Sequence, residues 1–461
     1  MTGSRTTSGT ATATAAVRRT GEARYLIAVL AQALEPVLRF DAPADATLAQ
    51  FMREHRQLGG RDRQLLGDAV YALLRAWRLA LHWLAQGEQP MPREARMRRL
   101  ALLGLALQAG GAAPVPLPGA SALQIVQRAR ALSTDGGDTD WLDACTAQMS
   151  DGLPEACQHN LPDWLADTLA GQWGRDTFWT LIAALRQPAP LDVRVNILRA
   201  KRSAVQQQLA AIGLSCQSTP YSPWGLRFDD KPSLQRSAPF QDGLIEVQDE
   251  GSQLLALLSD ARRNETVVDF CAGAGGKTLA LGAMMRNTGR LYAFDNSAHR
   301  LAGLQPRLQR SGLLNVHTMA LQGERDERLQ RLAGKVDRVL VDAPCSGLGT
   351  LRRHPDLAWR TGPNDVASLQ AAQLAILQQA CRLLKPGGQL IYATCSLLDA
   401  ENSVVRAQFA SEQPDLEPLD WQPLLKKHRL EAFAVADNAL QLLPHRSNTD
   451  GFYACAWRKQ A

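Results

Sequence analysis

The sequence predicts an α/β protein: a doubly wound, mainly parallel sheet in the carboxyl-terminal half, preceded by a small α+β module and an all-α unit. Three observations carry this expectation. From about residue 246 onward, short apolar runs alternate with helical stretches, the βαβα order of a sheet covered on both faces. A glycine-rich turn, Cys271-Ala272-Gly273-Ala274-Gly275-Gly276-Lys277, joins the run Thr266-Val267-Val268-Asp269-Phe270 directly to a helix. Before residue 150, apolar residues recur instead at helical spacing.

The bounds agree. A chain of 461 residues is long enough for two or three domains, each with its own core. It is 45% hydrophobic and 21% charged, and no run of about 18 apolar residues is present to span a bilayer. A net charge of +6 permits a polyanionic partner without requiring one. The eight cysteines are scattered, with no CxxC pair and no Cys/His cluster at zinc spacing, so free thiols in a cytoplasmic setting and no metal are expected.

Residues 1–20, rich in Thr, Ser, Ala and Gly and without an acid, read as a disordered tail. Residues 21–150 read as the all-α unit. Tyr25, Leu26, Val29 and Leu30 form one apolar stripe, and Leu65, Leu66, Val70, Leu73, Leu74 and Trp77 form another. A further helix at 93–108 opens with Arg93, Arg96, Arg98 and Arg99, either a solvated face or a phosphate contact. Residues 155–245 read as the α+β module. A helix with Trp164, Leu169, Trp173 and Phe178 on its face precedes the alternating strand Leu191–Leu198, on which Arg194 and Asn196 are expected to be exposed.

Residues 246–461 form the α/β domain. After the glycine turn comes the strand Arg290-Leu291-Tyr292-Ala293-Phe294-Asp295, then a helix at 298–311 and a weak strand near Val316. The strand Val339-Leu340-Val341, a helix at 366–384 and the strand Leu390-Ile391-Tyr392 complete the alternation. Glycines between strand and helix let a ligand approach the backbone, and the helix start offers it free N–H groups. Asp295, about twenty residues beyond the turn, is placed to accept both hydroxyls of a ribose. The Gly-Gly-Lys-Thr ending also suits a phosphate-binding loop of a nucleotide hydrolase, but that spacing requires glycine where Cys271 stands. It also leaves Asp295, Cys345 and Cys395 without roles. A nucleoside cofactor without a triphosphate, such as S-adenosylmethionine, accounts for the turn and the acid together. Asp342-Ala343-Pro344-Cys345-Ser346 and Ala393-Thr394-Cys395-Ser396 each put a cysteine just beyond an apolar strand. In one sheet, both thiols face the crevice where α/β sheets bind ligands.

These segments resemble the RsmB/NOP family of RNA cytosine-C5 methyltransferases. The resemblance rests on the 271–277 turn, on Asp342 to Gly347 with Arg352-Arg353-His354-Pro355-Asp356 behind it, on Ala393 to Ser396 followed by Glu401-Asn402, and on Asp450-Gly451-Phe452-Tyr453. It covers roughly residue 161 to the end. Asp62 to Leu66 and Val70 to Arg75 are similar, more loosely, to the NusB-like domain of the bacterial ribosomal small-subunit branch. The resemblance implies a Rossmann-like class I methyltransferase domain behind a NusB-like RNA-binding domain. It implies S-adenosylmethionine as cofactor and small-subunit ribosomal RNA as substrate, for a chain read as a cytoplasmic monomer.

It also implies roles. Cys395 is the nucleophile and Cys345 releases the product, while Cys271, Ala272, Gly273, Ala274, Gly275, Gly276 and Lys277 wrap the methionine end of the cofactor. Asp295 holds the ribose, and Asp342 lies near the methyl group or activates the base. Two departures stand out: Ala274 replaces a usual proline, and no Asp lies at 321–323 for the adenine amino group, where Glu324 is the nearest substitute. Arg352, Arg353, His354, Trp359 and Arg360 join charge to an aromatic and suit RNA, although Trp359 suits a core equally. A noncatalytic RNA-binding assembly factor is the alternative of another class.

Overall fold

The computed structural model describes residues 8–86, 90–110, 119–133, 135–147, 152–323 and 326–460. Among them no helix is long and apolar enough to cross a membrane. The chain divides into two compact units, one of residues 1–188 with 351–361, the other of residues 189–350 with 362–461. The helix Asp163–Leu185 falls in the first of these units and the small sheet in the second.

The first unit is helical. Its central helix, Arg93–Gln108, buries every residue from Leu100 to Leu107, which places it inside rather than on the rim. Three of the four arginines at its start pair with acids of the same unit. Arg98 and Arg99 share the buried Asp138 at 2.8 and 3.3 Å, and Arg93 pairs with Glu35. The first helix, Ser8–Val37, takes in residues 8–20, and residues 1–7 of the expected disordered tail lie outside the described residues. Alanines at 11, 13, 15 and 16 favour that continuation. In Asp163–Leu185, Gly174 breaks the helix at φ 72°, a conformation that glycine adopts without steric cost.

The segment 351–361 belongs to this unit. Trp359 packs on the helical core, 6.3 Å from the Phe40 ring and 5.9 Å from the Arg78 guanidinium. Asp356 accepts the Ala44 N–H at 3.1 Å and pairs with Arg360 at 3.2 Å, and Arg352 is buried. Core packing, not stacking on a base, thus occupies Trp359.

The second unit holds two sheets. In the smaller, β1 (Leu191–Val195), β2 (Cys216–Ser218), β3 (Gly225–Phe228) and β4 (Ile245–Val247) run antiparallel in the order β2-β3-β1-β4. Arg194 and Asn196, expected to be exposed, are buried. The strand is central and covered on its second face, where Arg194 donates to Gln248 at 2.7 Å and Asn196 donates to the carbonyls of Gly243 and Ser311.

The larger sheet contains β5 (Thr266–Asp269), β6 (Arg290–Asp295), β7 (Val316–Ala320), β8 (Val336–Asp342), β9 (Leu384–Thr394), β10 (Leu416–Pro418), β11 (Ala434–Val435), β12 (Ala439–Leu442) and β13 (Phe452–Lys459). Its order is β11-β12-β13-β9-β8-β5-β6-β7, with β10 on β13. The run β9-β8-β5-β6-β7 is parallel, as expected, and β13 adds an antiparallel flank. Both faces are covered. Val339 and Val341 enter one core and Leu340 the other, while Tyr392 and Ile391 divide the same way. The chain runs outward through β6 and β7 and returns to β8 on the other side of β5. That reversal opens a crevice at the strands' carboxyl ends.

Candidate active site

Four of these ends carry polar side chains: Asp269 closes β5, and the expected Asp295 and Asp342 close β6 and β8, with Thr394 at the end of β9. Because Asp342 of β8 registers with Ala393 of β9, the turns beyond them emerge side by side, and the Cys345 and Cys395 sulfurs lie 3.4 Å apart. A third segment closes on them. Gly349 N–H donates to the Cys395 carbonyl and Gly451 N–H to the Gly349 carbonyl, both at 2.8 Å.

The glycine turn forms where it was expected, between β5 and the helix Gly276–Met284. Gly273 and Gly275 have φ of 54° and 86°, and a Cβ on Gly275 would lie 2.1 Å from Leu304. Gly273 N–H donates to Asp295 Oδ2 and Ser297 N–H to Oδ1, both at 2.8 Å. Each carboxylate oxygen keeps a further lone pair for a ribose hydroxyl. Arg307 donates to the Ala274 carbonyl at 2.6 Å, a tether at the position of the missing proline. Glu324 lies outside the described residues, while nearby Asp326 accepts from Gln322 N–H and Arg328.

Lys277 is buried with its Nζ 2.6 Å from Asp342 Oδ2. Burial opposes its charge, but Asp342 and then Cys395 outweigh that, and its pKa is raised. The Cys345 thiol is pushed well above its ordinary value, first by its hydrogen bond to Cys395 and then by burial. Either sulfur can be the donor in this contact. Burial, followed by the charges of Asp269, Asp342 and Asp295, also raises the Cys271 thiol well above the ordinary range, consistent with packing beneath the turn.

Asp269 was not singled out as a site residue in the sequence. It is buried, accepts from Thr278 Oγ1 at 2.7 Å through one oxygen, and has no hydrogen-bond partner for the other. Burial lifts its pKa to about 7. Its position carries the same signal as Asp295 and Asp342, an Asp at the end of an apolar strand. An orphaned buried acceptor beside a glycine cradle and a diol-type acid fits a nucleoside cofactor that carries an ammonium group.

A doubly wound sheet with such a turn, an acid at the end of β6 and paired thiols beyond β8 and β9 defines a class I methyltransferase using S-adenosylmethionine. Residues 256–458 match the family of 16S rRNA methyltransferase RsmB/F, and residues 161–235 match the RsmF/B-like ferredoxin-like domain. The chain is 35% identical to the probable ribosomal RNA small subunit methyltransferase B of Synechocystis over 66% of its length and 67% of the relative's. It is 34% identical to that of Bacillus subtilis over 66% and 68% of the two chains. A methyltransferase homolog protein from Pyrococcus horikoshii is 30% identical, with a TM-score of 0.57 over 66% of this chain and 97% of that one. The structure of PH0851 shares the fold at a TM-score of 0.73, 22% identity, and coverage of 96% and 99%. The chain belongs to the RsmB/F family of ribosomal RNA methyltransferases.

Proposed function

We propose that the protein methylates carbon 5 of a cytosine in 16S ribosomal RNA through a covalent adduct to Cys395. The observation that supports this most is the 3.4 Å approach of two thiols from neighbouring strand ends, one of them following Asp342, which pairs with Lys277. S-adenosylmethionine, held by residues 271–277 and Asp295 with Asp269 beside them, supplies the electrophilic methyl group when bound. The chain supplies the rest. Cys395 thiolate adds to carbon 6, which makes the neighbouring carbon 5 electron-rich. Lys277 holds Asp342 at 2.6 Å in the same site. Asp342, on the strand beside it, is suited to orient the base. Once carbon 5 has taken the methyl group, its proton passes to water and Cys395 leaves carbon 6 as thiolate, which frees the product; release is the role assigned to Cys345. The target must be single-stranded or flipped out to reach the thiols.

The reading includes action as a cytoplasmic monomer. Incubation with labelled cofactor and 16S ribosomal RNA tests the chemistry. Cys395→Ala should abolish transfer, and Cys345→Ala should trap protein on RNA. Full activity in Cys395→Ala would refute the mechanism.

A further inference from the structure

We propose that Glu401 is a positioning residue that locks the two thiol-bearing turns to each other, and thereby sets the approach of Cys345 to Cys395. The proposal rests on the covalent reading above. Ser346 and Ser396 directly follow the two cysteines, and both converge on one fully buried carboxylate. Glu401 Oε1 accepts from Ser346 N–H at 2.8 Å and Gln373 Nε2 at 3.1 Å. Its Oε2 accepts from the Ser346 and Ser396 hydroxyls, each at 2.5 Å.

Four donors fill the four acceptor sites that a carboxylate offers. All four are neutral. A buried carboxylate without a countercation is costly to the fold, so apolar residues would serve better if packing were the only demand. What a carboxylate adds is acceptance from both turns at once, through charge-assisted bonds stronger than neutral ones.

The surroundings brace the same two turns. Gln373, which donates to Glu401, also donates to the Pro344 carbonyl at 2.9 Å. Tyr392 donates to the Glu401 carbonyl at 2.6 Å, and Asn402 accepts from Thr394 Oγ1 and donates to the Ser396 carbonyl. Pro344 and Ser346 flank one thiol, Thr394 and Ser396 the other. Thus Glu401 touches neither reacting sulfur, yet both depend on it for their place.

The test compares Glu401→Ala and Glu401→Gln with the wild type in two measurements. The first is kcat and KM for S-adenosylmethionine. A misplacement of about 1 Å costs on the order of 100-fold in rate. Glu401→Ala should therefore lose about that in kcat with KM little changed. Glu401→Gln should recover most of it, because its amide oxygen still accepts from Ser346 and Gln373 while its NH2 donates to hydroxyls that can rotate. The second is the equilibrium between the two thiols and their disulfide in glutathione buffers. Two thiols are oxidised there as one oxidised glutathione is reduced to two thiols. The effective molarity of the pair should fall at least about tenfold in Glu401→Ala, the scale of lost orientation.

A merely structural role would lower thermal stability but leave both values unchanged in the folded fraction, and that result overturns the proposal. If Glu401→Ala does not fold, Ser396→Ala carries the same two measurements, with the same expected fall and the same refutation. Wild-type values in Glu401→Ala with an inactive Cys395→Ala overturn the clamp alone. An active Cys395→Ala overturns the covalent reading, and the disulfide equilibrium, which needs no catalysis, still decides the clamp.

Discussion

Replacing Gly349 by alanine should damage the site through a single methyl group. Gly349 is not among the glycines at positive φ, so the backbone itself accepts alanine and the cost is one of space. An added Cβ would stand 2.1 Å from the Gly451 carbonyl oxygen and 2.7 Å from that of Cys395. Ordinary contacts begin near 3.4 Å, so backbone on one side or both must retreat by about 1 Å. The two hydrogen bonds through Gly349, to Cys395 and from Gly451, are then stretched or lost. Overpacking costs about 1–3 kcal/mol, and each lost hydrogen bond about 0.5–1.5 kcal/mol. The expected destabilisation is roughly 2–6 kcal/mol. Because Cys395 carries one of the displaced carbonyls, methyl transfer should also fall by about 100-fold in the protein that still folds. Urea unfolding and incorporation of labelled methyl into 16S ribosomal RNA measure the two effects. A variant within about 1 kcal/mol and twofold of wild type would show that the loops do not constrain each other as argued.

Asp269 has a folded-state pKa raised by burial from 3.8 to about 7, so folding favours its neutral form. Its stabilising effect is complete below about pH 4 and lost as pH rises through about 7, a swing of up to about 4 kcal/mol. Asp269→Asn should flatten this part of the stability profile of the cofactor-free protein, and an unchanged profile would refute the assignment. Asp295→Ala should raise KM for S-adenosylmethionine by about 10-fold or more, since hydrogen bonds to a charged group contribute about 1.5–3 kcal/mol. Equal KM values would remove Asp295 from the cofactor site. Lys277→Met should lower kcat strongly, because Asp342 loses the ammonium that holds it at 2.6 Å; an unchanged kcat would refute that role. Cys271→Ala should keep activity within about twofold, since a half-buried thiol whose pKa is raised well above the ordinary range is a poor nucleophile. Its loss of activity would reopen Cys271 as a reactive group.

Much of this was legible because local rules govern it. The strand–turn–helix at 266–284 and the helix at 298–311 follow from apolar runs and glycines that few other conformations accommodate. The burial of Arg194 and Asn196 was not legible. Alternation tells which residues share a face of a strand, not whether another element covers that face. The arginines at 93–99 illustrate the same gap, since the acids that engage them, Glu35 and Asp138, lie far away in sequence.

By itself, the sequence determined the order of strands and helices, the glycine turn, the acids at strand ends and the presence of two cysteines beyond two strands. Each depends on composition and spacing within a few residues. Only the tertiary structure decided that β8 and β9 are neighbours and that their register leaves the sulfurs 3.4 Å apart. It alone brought Glu401 under both turns and left one oxygen of Asp269 without a partner. Strand order and side-chain convergence depend on packing between segments 50 or more residues apart in sequence, as Cys345 and Cys395 are. No local preference encodes that distance, whereas the shared core beneath β8 and β9 does.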